Sequence, residues 1–112
     1  MTKDFSEAKG ETIMLDIKKT LENGNATFVL EGRLDTVTAP QLEDALKESL
    51  DIAQTLTMDF EKLGYISSAG LRVLLITQKK MGAKGGMTLV HVNDTVREIL
   101  EVTGFSEILT IQ

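Results

Sequence analysis

The apolar positions change period along the chain, and the changes divide it into elements. From Thr12 onward Ile13, Leu15 and Ile17 alternate with Met14, Asp16 and Lys18, which is the two-residue period of a strand with one buried face. A second alternation runs through Phe28, Leu30, Gly32 and Leu34. Between them lies Asn23-Gly24, two residue types that tolerate the positive φ of a tight hairpin turn, so the chain is expected to open with a β-hairpin. Thr38, followed three residues later by Gln41 and with Pro40 in the first turn, predicts a capped helix start. Leu42, Ala45, Leu46 and Leu50 supply the stripe of a helix at about 39–53. Leu56–Phe60 reads as a short buried strand, and a loop then leads to a second helix over Ser68–Met81, where Lys79 and Lys80 suit the negative end of the dipole. Gly82, Gly85 and Gly86 end that helix and read as a flexible connection. Met87–Val92 is expected as another buried strand. Asn93 or Asp94 then caps a third helix carrying Val96, Ile99 and Leu100, with Gly104 suited to its C′ position. Ile108–Ile111 fits either a last edge strand or a helical turn.

The resulting order, β-β-α-β-α-β-α, predicts an α/β fold: one mixed sheet of four or five strands covered by helices, with the N-terminal hairpin as its antiparallel edge. Met1–Glu11 shows no periodicity and is expected to be a flexible N-terminus ahead of one domain spanning 12–112. Apolar residues at 42% and charged residues at 26% give the mixture of a globular chain. A net charge of -5 provides no overall positive field for phosphate backbones or anionic lipid, which argues against nucleic-acid partners. The absence of cysteine excludes disulfides, thiolate metal sites and cysteine nucleophiles, and a single histidine, His91, makes a histidine-rich metal site hard to assemble. No apolar run approaches the roughly 18 residues of a membrane span, and the polar start lacks the apolar stretch of a signal peptide. A cytoplasmic protein without membrane insertion is expected.

The informative stretch is Tyr65-Ile66-Ser67-Ser68-Ala69-Gly70-Leu71-Arg72-Val73-Leu74-Leu75. Two hydroxyls stand where the chain enters a helix, followed by two small residues that leave the approach open. A phosphate there would meet the free N–H groups and positive dipole end of the helix while adding about -1.5 to -2 charge to the surrounding surface. On spacing alone the commoner explanation is capping, since serine is a preferred N-cap residue contributing about 1 kcal/mol.

That stretch resembles the signature of anti-sigma factor antagonists, D-S-S-G-L or D-S-T-G-L followed by an apolar helix. Glu31-Gly32-Arg33-Leu34-Asp35 resembles the family's G-x-L-D at the end of the second strand, and Leu56-Thr57-Met58-Asp59-Phe60 its third strand. The matches cover about residues 12–105 in the element order of a STAS domain. The resemblance implies a non-enzymatic bacterial regulator with Ser68 as its phosphorylated residue. Asp35, Thr36, Ser67, Ser68, Ala69, Gly70 and Arg72 are implied to lie on the face that docks a partner. The implied partner is an anti-sigma factor that is also a serine kinase; it binds the unphosphorylated antagonist and so frees the sigma factor, and a serine phosphatase resets the switch. The sequence departs from the signature in two places: Ser67 replaces the usual Asp before the acceptor, and Ala69 replaces the hydroxyl residue after it. Ser67 is therefore an alternative acceptor.

Other residues carry weaker signals. Asp35, Asp59 and Glu61 suggest a carboxylate metal site, but turn chemistry and solvation account for them, so no metal and no cofactor are expected. Asp59 is also a second acid, after Asp35, expected near Ser68. His91 with Asp59 and either serine has the composition of a hydrolase triad, yet the chain lacks a G-x-S-x-G elbow, and a strand histidine satisfied by a hydrogen bond is the simpler reading. The alternative to a phosphorylation switch on the same fold is an accessory subunit that regulates a transport ATPase, such as a lipid-trafficking complex. That role has no need of an acceptor at Ser68.

Overall fold

A computed structural model describes residues 15–112. The expectations for Met1–Glu11 and for the Thr12–Met14 start of the first strand lie outside the described residues. The elements are β1 (Leu15–Glu22), β2 (Asn25–Leu34), α1 (Ala39–Leu50), β3 (Thr55–Ile66), α2 (Ser68–Gly82), β4 (Met87–Val90), α3 (Asp94–Val102), a 3-10 turn (Phe105–Glu107) and β5 (Thr110–Ile111). The strands form one sheet in sequence order, antiparallel between β1 and β2 and parallel thereafter. The expected hairpin is present: Asn23 has φ 53° and Gly24 φ 84°, and Glu22 pairs with Asn25 across a two-residue turn. Of the two readings of Ile108–Ile111 the edge strand is found, as β5, and the helical turn lies just before that stretch, at Phe105–Glu107.

Each parallel connection steps to the next strand in the same direction. Right-handed crossovers then put the helices of the described residues on one face of the sheet and leave the other face open among those residues. Burial agrees. In β3 Leu56, Met58 and Phe60 are fully buried while Thr55, Thr57 and Asp59 are half-exposed. Parallel strands usually carry apolar residues on both faces because both are covered. Here the open face is made polar by a row of threonines in register across every strand, Thr20, Thr27, Thr57, Thr88 and Thr110. Threonine suits this place: its β-branch favours the extended backbone and its hydroxyl meets water and its cross-strand neighbours.

β3 is longer than its apolar run suggested, and the expected loop after Phe60 is strand. Register shifts between Val29 and Glu31, and again between Gly32 and Arg33, give β3 extra residues against β2. The buried positions are then Phe60, Leu63 and Ile66, three apart, so the two-residue signature disappears although the pairing continues. Asn93 holds this irregular stretch. Its side-chain amide donates to the carbonyls of Phe60 (3.0 Å), Glu61 (3.3 Å) and Leu63 (2.7 Å), while its Oδ1 accepts from Val96 N (3.0 Å) and caps α3.

Three further boundaries differ from expectation. β4 stops at Val90, because His91 adopts φ 55° and leaves the strand. Regular helix in α1 ends at Leu50, where the Lys84 ammonium takes the carbonyls of Leu50 and, at 3.0 Å, Ala53. Of the glycines expected as a flexible connection, Gly82 ends α2 and Gly86 takes φ 96°, while Gly85 stands at a close junction: a Cβ there would lie 2.4 Å from Thr55 Cγ2 and 2.7 Å from Gln54 O. Gly104, with φ 82°, terminates α3 as expected.

Because Asn93 both caps α3 and satisfies the bulged carbonyls of β3, Asn93→Ala should lower the unfolding free energy by about 2 kcal/mol, read from urea denaturation. A loss below about 0.5 kcal/mol would show that water replaces the amide at no cost.

Candidate functional site

The residues expected on the docking face lie at the carboxyl ends of β2 and β3, where each strand turns into a helix. β2 ends at Leu34, whose carbonyl accepts from Ser67 N (2.8 Å), extending the β2–β3 ladder by one bond past Ile66. On the β2 side the turn is built by Asp35. Its Oδ1 accepts from the backbone N–H groups of Val37 (3.0 Å) and Thr38 (3.0 Å) and from the Thr38 hydroxyl (3.2 Å), and its carbonyl accepts from Ala39 N (2.8 Å). Asp35 is thus the functional cap of α1. The expected capping box of Thr38 and Gln41 does not form: the Thr38 hydroxyl shares its one proton between Arg33 O (2.8 Å) and, at the longer 3.2 Å, Asp35 Oδ1, and the Gln41 amide reaches across to Leu15 O (2.8 Å). Thr38 is pulled inward by β2 and is buried. The Thr38 N–H, with its hydroxyl, the Val37 N–H and the nearby Arg33, holds the Asp35 carboxyl below the usual carboxylate range against an opposing effect of burial.

On the β3 side the two serines divide their roles. Ser67 is the N-cap of α2, with extended backbone (φ -92°, ψ 176°) and a long contact of 3.5 Å from Gly70 N to its Oγ. Ser68 is the first helical residue, it is exposed, and among the described residues its hydroxyl has no hydrogen-bond partner. Ala69 is half-buried and Arg72 exposed. Gly70 stands apart from the other candidate docking residues because it is buried: a Cβ there would sit 2.7 Å from Leu34 Cγ and 2.9 Å from Leu34 O. Its small size serves the packing of α2 on the end of β2 and offers a partner no surface. Ser68, Ala69 and Arg72 face Thr36, Pro40 and Glu43 across a groove of about 380 Å³ between α2 and α1.

Three residues at this edge were not singled out from the sequence. Val37 projects from the tip of the Asp35 turn with 84% of its surface exposed. The Arg33 guanidinium lies 4.4 Å from the centroid of the Tyr65 ring, and its Nε is 3.7 Å from Asp35 Oδ2. An apolar residue between two threonines at a turn was the available signal for Val37. The Arg33–Tyr65 stack follows from the bulged register alone.

Asp59 does not join this edge. It lies on the open sheet face, where its Oδ2 is 2.9 Å from His91 Nδ1 and its Oδ1 accepts from Glu61 N (3.0 Å). His91 is therefore satisfied by a hydrogen bond, from a position just past β4 rather than inside a strand, and among the described residues neither serine is bonded to it. Asp59, Glu61 and His91 bring their donor atoms within 4.8 Å of one another, and Asp35, at the β2–α1 turn, belongs to a different cluster. Burial pushes the Asp59 carboxyl up, but the Glu61 N–H and the His91 ring outweigh it and the net shift is down. The hydrogen bond to Asp59, with its charge, holds the His91 imidazole above its ordinary range.

With this geometry in place, comparison with known proteins assigns the family. The STAS domain family model matches residues 12–112, and the chain belongs to that family. It is 36% identical over 91 residues to BtrV of Bordetella bronchiseptica, which bears the name of an anti-sigma factor antagonist; the match covers 80% of this chain and 78% of BtrV. It is 28% identical over 86 residues to the anti-sigma-F factor antagonist RsfB of Mycobacterium tuberculosis, covering 76% of this chain and 70% of RsfB. The crystal structure of an anti-sigma factor antagonist from Mycobacterium paratuberculosis superposes with a TM-score of 0.78 at 26% identity, over 87% of this chain and 84% of that one. No described helix is long and apolar enough to cross a membrane.

Two predictions follow from the charges. Asp35→Ala removes the acceptor for two backbone N–H groups and should cost about 1–2 kcal/mol in urea denaturation at neutral pH, whereas Asp35→Asn, which keeps an acceptor oxygen, should cost clearly less. Equal losses would assign the effect to charge rather than to the cap. The Asp59–His91 pair has a defined pH window. The raised His91 value means that its contribution is complete below the ordinary 6.5 and fades as pH rises through the folded value. The lowered Asp59 value means that its contribution is complete above 3.8 and fades as pH falls through the folded value. The difference in urea midpoint between the native chain and His91→Gln should therefore be largest between about pH 4 and 6.5 and shrink toward pH 8. A difference that does not vary with pH would show that the pair is not ionic.

Proposed function

We propose that this chain is an anti-sigma factor antagonist whose switch is phosphorylation of Ser68. It acts by binding rather than by catalysis. Unphosphorylated, it docks an anti-sigma factor that is also a serine kinase, and so frees a sigma factor for transcription in the bacterial cytoplasm. Phosphorylated, it is released, and a serine phosphatase restores the binding form. The observation that carries this reading is the position of Ser68: an exposed hydroxyl on the first residue of α2, with capping left to its neighbour Ser67. A kinase can reach it without unfolding the domain, and a phosphate there adds about -1.5 to -2 charge at the mouth of the α1–α2 groove. Ser67, tied to Leu34 O through its N–H and serving as the N-cap, is the poorer acceptor. The kinship with BtrV and RsfB supports the class of partner. The docking face then comprises Asp35, Thr36, Ser67, Ser68, Ala69 and Arg72, with Val37 as an exposed apolar contact and Gly70 as the packing residue beneath.

Treatment with the cognate kinase and ATP should add one phosphate, lost in Ser68→Ala and located at Ser68 by mass spectrometry. Ser68→Asp should weaken binding to the anti-sigma factor by tenfold or more, about 1.4 kcal/mol or above, because a carboxylate then faces a matched interface beside Glu43. The fold should not suffer, since an acid in the first turn of a helix is favourable by about 0.3–1 kcal/mol. Calorimetric titration beside a thermal melt reads both quantities. Equal affinities for the native chain and Ser68→Asp would reject the switch and leave the transport-subunit reading ahead.

A further inference from the structure

We propose that Arg72 receives the Ser68 phosphate, forming an ion pair within the chain that takes the cationic side chain beside Ser68 in the α1–α2 groove out of reach of a partner. The inference rests on the reading of Ser68 as the phosphorylated residue and concerns what the phosphate does once it is there. Ser68 and Arg72 are four residues apart in α2, so they lie on one helix face about 5–6 Å apart at Cβ. Side chains of a helix lean toward its N-terminus, so the long Arg72 side chain extends back over the turn that begins with Ser68. Both line the same groove, and both are exposed. Among the described residues Arg72 has no ion-pair partner, although Glu43 of α1 lines the groove opposite. The guanidinium presents a planar fork of N–H donors whose spacing matches two phosphate oxygens, and a dianion attracts it more strongly than the single charge of Glu43 does.

Modification then acts twice on the docking face. It adds negative charge, and it occupies the cation that lines the Ser68 end of the groove opposite Glu43. The Ser68 end of the groove gains net negative charge, and its arginine is already paired. A carboxylate at position 68 has one charge and a shorter reach, so it reproduces only part of this change.

The test is to install phosphoserine at position 68 during translation, which needs no kinase, and to follow the phosphorus-31 resonance of the folded chain across its second ionisation. The charged groups that face the phosphate are Arg72 on α2 and Glu43 on α1, with Asp35 at the neighbouring turn. The second pKa should be about half a unit lower in the native chain than in Arg72→Gln, a threefold shift in the protonation equilibrium, with Arg72→Lys between the two. Coincident titrations of the native chain and Arg72→Gln would overturn the pairing. The outcome separates from that of the switch: a kinase that leaves Ser68 unmodified rejects the switch even where the titrations differ. A kinase that modifies Ser68 while the titrations coincide rejects Arg72 alone.

Discussion

The carboxyl edge of this domain depends on the contact between Gly70 and Leu34. Leu34 ends β2 by doing two things at once: its carbonyl accepts from Ser67 N, and its side chain and carbonyl press against the space where Gly70 would carry a Cβ. Any larger residue at 70 would push α2 away from the sheet, and the Ser67 bond would open with it. The position of Ser68 is a by-product of this packing. The helix is forced to begin hard against the end of β3, so its first residue has nowhere to go but outward.

The same tightness explains why the two neighbouring serines behave differently. A cap residue must keep extended backbone and turn its oxygen back to the helix, which is the state of Ser67. The next residue is already helical, and its side chain is free of that duty. Replacing the usual acid of the signature by Ser67 keeps a capping oxygen while removing a negative charge beside Ser68. Across the groove Asp35 performs the equivalent task for α1, and it does so as a charged cap reinforced by Thr38 and Arg33. Two strand-to-helix turns, capped by different chemistry, thus frame one groove.

The sheet has an unequal pair of faces for a topological reason. Strands laid down in sequence order, with every crossover of the same hand, leave one face without helices among the described residues. The threonine row and the Asp59–His91 pair occupy that face. The groove of Ser68 lies on the helical side, so the acids of the open face and the acid of the groove belong to different surfaces.

The sequence by itself determined the element order, the hairpin at Asn23-Gly24, the mixed sheet and the family signature around Ser68, because these rest on period, turn chemistry and local motif. It placed the serines at a helix start correctly but could not say which one caps. It mistook the second half of β3 for a loop, since two bulges shift the buried positions to Phe60, Leu63 and Ile66 and erase the alternation. It read Gly70 as an opening toward a partner and Gly85 as slack, when close approach of Leu34 and of Thr55 demands them. It placed the N-cap of α1 at Thr38, where the structure has it, but the capping hydrogen bond expected of that hydroxyl is lost because Arg33 O draws it away. In each case tertiary structure decided through contacts between residues distant in sequence or across a strand pair. A one-dimensional pattern records which residues can be buried or can turn, but not which neighbour will reach them first.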